Sequence, residues 1–97
     1  MLSDQDILER VAEIIRKYVA GDPKIFIFGS RANKTNTKRS DYDFGIETGR
    51  EIPLPALSRI KGEVEQLPTL RTIEIVDFHR VSGVFKSRAL QAIKVIR

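Results

Sequence analysis

The sequence predicts a small α/β (α+β) domain, a mostly three-stranded mixed sheet with helices mainly on one face. Three observations carry this expectation. Stretches with apolar residues at helical spacing alternate with short runs rich in strand-forming residues. Glycine or proline marks most of the changes between them. The 97 residues, 41% hydrophobic and 31% charged, suit one globular unit spanning 1–97 and exclude a disordered chain.

The elements follow in order. Ser3 to Val19 reads as an amphipathic helix, with Ile7, Val11, Ile14, Ile15 and Tyr18 recurring on one face. Ser3 and Asp6 form a capping signature at its start, and Gly21-Asp22-Pro23 stops it. KIFIF at 24–28 is a short apolar run, expected as a buried strand that ends abruptly at Gly29-Ser30. A short helix is expected to begin at Ser30, followed by polar loop. DYDFGIE at 41–47 alternates, placing Asp41 and Asp43 on one side of a strand and Tyr42 and Phe44 on the other. Ala56, Leu57, Ile60, Val64 and Leu67 outline a second helix, ended by Pro68, and RTIEIVDF at 71–78 is a third strand. Ser82 caps a last helix with Phe85, Ala89, Ile93 and Ile96 along its inner stripe.

Composition excludes several chemistries. With no cysteine there is no disulfide framework, thiolate nucleophile or zinc–thiolate site. The single histidine, His79, cannot build a multi-histidine metal site, so any metal would be held by oxygen, pointing to Mg²⁺ or Mn²⁺. No apolar run approaches a membrane span, and the opening MLSDQDILER lacks an apolar signal segment, so a cytoplasmic location is expected. The net charge of +4 fits both ordinary solubility and attraction to an acidic ligand. Arg31, Lys34, Lys38 and Arg39 lie close together, but no aromatic residues interleave with them, which argues against a single-strand stacking platform.

The candidate chemistry begins with Asp41 and Asp43. Carboxylates at i and i+2 on a strand project from one face, about 6–7 Å apart at the backbone, and can converge on a cation. The same pair also suits a solvated open sheet face. Gly29-Ser30 follows a buried strand, where glycine permits close backbone approach and a helix-starting serine presents N–H groups and a hydroxyl to a phosphate. A tight turn with an N-cap serine would look the same. Glu74 alternates with Ile73 and Ile75, so it shares the open face if the isoleucines pack under helices. Asp77 has the parity of the isoleucines, and Glu74 is preferred to it as the third carboxylate.

Taken together, F-G-S-R-A at 28–32 and S-D-Y-D-F at 40–44 resemble the minimal nucleotidyltransferase (MNT) domain of the DNA polymerase β-like superfamily. That pattern is Gly-Ser, ten intervening residues, then Asp-x-Asp, matched here by Gly29-Ser30, residues 31–40 and Asp41-Tyr42-Asp43. The family's third carboxylate lies on a later strand, and the resemblance sets Glu74 at that usual aspartate. Arg31-Ala32-Asn33-Lys34 stands where the family often has Arg-Ala-Arg-Gly. The resemblance implies the minimal nucleotidyltransferase fold, with Asp41, Asp43 and Glu74 as catalytic, metal-holding residues. It also implies Gly29, Ser30, Arg31 and Lys34 at the nucleotide, ATP as substrate, and Mg²⁺, or Mn²⁺, as cofactor. Standalone MNT proteins are similar to the smaller half of a toxin–antitoxin pair. Their implied partner is a helical HEPN-type protein that accepts AMP; for the assembly, a hetero-oligomer and a homodimer both stay open. A weakly active or inactive MNT protein that neutralises its partner by contact is the second expectation, and a nucleic-acid-binding module the third.

Overall fold

The computed structural model describes residues 2–28, 42–90 and 93–96. Its elements run α1 (Asp4–Tyr18), β1 (Lys24–Phe28), β2 (Tyr42–Glu47), α2 (Leu54–Glu65), β3 (Ile73–Asp77), α3 (Gly83–Ala89) and β4 (Lys94–Val95). The four strands form one mixed sheet in the order β3-β2-β1-β4. β1 is antiparallel to both β2 and β4, whereas β2 and β3 are parallel and joined through α2.

Local chemistry explains the helix ends. Ser3 Oγ accepts from the Asp6 amide at 3.1 Å, and the Asp6 carboxylate accepts from the Ser3 amide at 3.1 Å. This reciprocal box satisfies N–H groups that have no partner inside the helix. Downstream of α1, Gly21 takes φ = 83°, a left-handed conformation that few side chains tolerate. α2 begins with Pro55 in its first turn, where the missing proline N–H costs no helical bond.

Alternation along the strands then builds two cores. Ile25, Ile27, Tyr42, Phe44, Ile46 and Ile75 face α1 and α2, which contribute Ile7, Val11, Ile14, Ile15, Leu57, Ile60 and Val64. Lys17 and Tyr18 of α1 both reach Glu63 of α2, the lysine at 2.6 Å. On the opposite face, Phe26, Phe28 and Phe78 form a smaller cluster. Phe26 and Phe78 meet edge to face with centroids 4.8 Å apart, and Phe85 of α3 lies 6.0 Å from both Phe28 and Phe78.

The last segment is not the single helix expected from its apolar spacing. Ser82 does cap α3, its hydroxyl accepting from the Phe85 amide, but the helix ends at Ala89. Residues 94–95 instead form β4 beside β1, and the Ile96 amide donates to the Ile25 carbonyl at 2.8 Å. The open edge of β1 offers unpaired backbone groups that an extended tail satisfies. Ile93 and Ile96, three apart, would share a helical stripe, but in the extended tail they join opposite cores.

Gly45, in the middle of β2, is required by close packing. A methyl group there would approach the Phe78 ring to 2.7 Å and the Phe26 ring more closely still. Gly45→Ala is expected to cost about 1–3 kcal/mol in overpacking, measured as a lower midpoint in urea denaturation.

Candidate active site

The β2–β3 register creates the central feature. Asp43 pairs with Glu74 across the parallel ladder, so both side chains project from the same face on strands about 4.8 Å apart. Asp43 is partly buried and Glu74 exposed. Phe28, after which the sequence reads Gly29-Ser30, occupies the neighbouring rung to Asp43 on β1. Gly29, Ser30, Arg31, Lys34 and Asp41 lie outside the described residues, as do the short helix expected at Ser30 and the basic run through Arg39. Among the described residues, no three His, Cys, Asp or Glu side chains are grouped to hold a metal ion. The described part of the carboxylate set is therefore the Asp43–Glu74 pair.

Asp77 stands elsewhere and does different work. It pairs with Ile46, on the face packed under α1 and α2, and is 3% exposed. Its carboxylate accepts from the Ile52 amide at 2.7 Å and from the His79 amide at 2.9 Å. Arg80 Nε approaches to 3.4 Å, and Arg80 Nη2 donates to the Ile52 carbonyl at 2.8 Å. A buried carboxylate needs such partners, and these tie the chain before α2 to the turn after β3.

Glu47 closes the other end of the same face. Asp43, Gly45 and Glu47 alternate along β2, so Glu47 lies on the Asp43 side of the sheet. Glu47 Oε2 accepts from Lys86 of α3 at 2.8 Å, and Oε1 lies 2.6 Å from His79 Nε2. Burial works to raise the Glu47 carboxyl, but the Lys86 hydrogen bond, the Gly49 amide and the charges of His79 and Lys86 together hold it below its ordinary value. α3 is thus fastened by Lys86 at the Glu47 end and by Phe85 over the phenylalanines. Paired carboxylates beside a packed face offer hard oxygen donors of the kind that divalent cations take. The sequence pattern assigned no part to Glu47, Lys86 or His79, because their meeting depends on how α3 docks.

Comparisons with known proteins bear on the family and the fold. The family model described as Polymerase beta, Nucleotidyltransferase matches residues 9–97. Among solved structures, a toxin–antitoxin complex with AMP-PNP superposes with a TM-score of 0.74 at 18% identity, covering 93% of this chain and 72% of the matched one. The complex of a tri-AMPylated Shewanella oneidensis HEPN toxin with MNT antitoxin gives 0.74 at 15% identity, covering 98% and 72%. Another Shewanella oneidensis crystal structure gives 0.74 at 12%, with the same coverage. At these identities the likeness is one of fold, that of a minimal nucleotidyltransferase. No curated protein sequence matches this one. Among the described residues, no helix is long and apolar enough to cross a membrane.

Two outcomes follow for the carboxylates. Asp77→Ala strands the Ile52 and His79 amides and should cost about 1–3 kcal/mol, whereas Glu74→Gln, at an exposed position, should change stability by no more than about 0.5 kcal/mol; urea denaturation at neutral pH distinguishes them. Glu47 has a lowered folded pKa, so its contribution is complete above the unfolded value of about 4.3 and is lost as pH falls through the lower folded value. Denaturation at stepped acidic pH should therefore show a steeper loss of stability in the wild type than in Glu47→Gln.

Proposed function

Since this chain belongs to the Polymerase beta nucleotidyltransferase family, we propose that it transfers AMP from ATP to a protein acceptor in an Mg²⁺-dependent reaction, the acceptor being a HEPN-type helical toxin. The observation that carries this reading is the Asp43–Glu74 rung, two carboxylates on one sheet face at the family's motif positions. Two structural neighbours support its finer points: one is a toxin–antitoxin complex with AMP-PNP, the other contains a tri-AMPylated HEPN toxin.

The donor set suits the metal. Asp41, Asp43 and Glu74 offer only carboxylate oxygens, the ligands that Mg²⁺ prefers. When bound, the metal supplies positive charge at the transferring phosphate and lowers the pKa of the acceptor hydroxyl. The chain's own part is placement. Asp43, fixed on the central strand, and Glu74, on its parallel neighbour, concentrate negative charge at one end of the open face. Gly29 and Ser30 receive the triphosphate, and Arg31 and Lys34 offset the charge of its outer phosphates. The acceptor oxygen bonds to the α-phosphorus as the bond to the bridging oxygen of the β-phosphate breaks. Pyrophosphate leaves and the acceptor proton passes to solvent. Such catalysis is mainly positioning and electrostatics.

Glutamate at 74, longer than the family's aspartate, favours a second reading, neutralisation of the partner by contact alone. Incubation with a HEPN-type partner encoded beside it, ATP and Mg²⁺, followed by intact-protein mass spectrometry, separates the two. Transfer predicts addition of AMP mass to the partner, falling about 100-fold or more in Asp43→Ala. Neutralisation without any mass gain, unchanged by Asp43→Ala or by omission of ATP, would replace transfer with contact inhibition.

A further inference from the structure

Tyr42 stands between the two motif aspartates in sequence, but its side chain goes to the opposite face of β2. Its ring is buried, stacked on Phe44 with centroids 6.0 Å apart, and the Arg71 guanidinium lies 5.8 Å from its centroid. The Tyr42 hydroxyl donates to the Asp4 carboxylate in the first turn of α1. Arg71 Nη1 donates to the same hydroxyl at 2.9 Å and also pairs with Asp4. In the backbone, the Tyr42 amide donates to the Thr72 carbonyl at 2.9 Å, and Tyr42 registers with Ile73. The start of α1, the start of β2 and the residue before Thr72 therefore meet at one rung, immediately before the rung of Asp43 and Glu74.

That location has a consequence for chemistry. Strand ends fray first, and β3 is an outer strand of this sheet. A Mg²⁺ site needs near-octahedral oxygen geometry and tolerates little spread in its ligands. We propose that Tyr42 is a positioning residue. Its hydroxyl, held between Asp4 and Arg71, clamps the leading ends of β2 and β3 to α1 and fixes the spacing of the Asp43 and Glu74 carboxylates for a divalent cation. The catalytic part of this inference rests on the transfer reaction proposed above; the clamp itself does not.

The fold contains its own control. Tyr18 also donates its hydroxyl to a carboxylate, that of Glu63, but it joins α1 to α2 away from the rung of Asp43. A purely structural role predicts that the two tyrosines behave alike. The test compares the wild type with Tyr42→Phe, Arg71→Lys and Tyr18→Phe by amide hydrogen exchange, Mn²⁺ binding followed by electron paramagnetic resonance, and AMP transfer at saturating ATP with Mg²⁺ varied. In Tyr42→Phe, exchange at residues 42–44 and 73–75 should quicken about tenfold and Mn²⁺ affinity should fall about tenfold. Transfer should be lost at low Mg²⁺ and recovered at high Mg²⁺. Arg71→Lys should move in the same direction by less, and Tyr18→Phe should leave Mn²⁺ affinity and exchange at that rung unchanged. Wild-type Mn²⁺ affinity in Tyr42→Phe, or an equal loss in Tyr18→Phe, would overturn the proposal. Mn²⁺ binding that weakens in Tyr42→Phe while no protein in the series transfers AMP would leave the clamp standing and remove the transfer reaction.

Discussion

β2 has a hydrogen-bonded strand on either side, and its successive side chains must serve two unlike surfaces. Tyr42, Phe44 and Ile46 fill the space beneath α1 and α2. Asp43, Gly45 and Glu47 take the other face, and each serves it differently. Gly45 lets the Phe26 and Phe78 rings close, Glu47 holds α3, and Asp43 meets Glu74. A slip of one residue would drive Asp43 and Glu47 under the helices and turn three large apolar side chains outward. The apolar core therefore sets the register, and the register sets where the carboxylates stand.

α3 shows how one face can be both packed and open. It is seven residues long and has no fully buried side chain. It is held by the Phe85 ring over Phe28 and Phe78 and by Lys86 on Glu47. A helix so short covers only part of a sheet, and Glu74 remains exposed. Asp77 is the complementary case: an acid on the covered face has backbone amides and an arginine arranged around it.

Much of this was legible in the sequence because it depends on near neighbours. Ile7, Val11 and Ile15 announce α1, Ser3 and Asp6 announce its cap, and alternation around Asp43 and Glu74 assigns their faces. What could not be read depends on distant partners. Asp77 accepts from Ile52, 25 residues earlier, and no local pattern records that bond. Ile93 and Ile96 suit a helical stripe as well as a strand, and the vacant edge of β1 decides between them. The triad of Tyr42, Asp4 and Arg71 joins residues from three separate stretches, so it is visible only after folding. Five motif residues, Gly29, Ser30, Arg31, Lys34 and Asp41, fall outside the described residues, and their roles rest on the motif alone.

The parallel pairing of β2 with β3 carries one more implication. Parallel neighbours cannot be joined by a tight turn, so the chain runs through all of α2 before Glu74 can reach Asp43. The carboxylate pair is thus a long-range contact, absent from a chain in which either strand is unformed. A ligand that bridged the two acids would bind the native state and not the denatured one, so mass action would make it a stabiliser, by RT ln(1 + [L]/Kd). Binding there and folding would therefore be linked: a change that unfolds either strand would also weaken the ligand's hold.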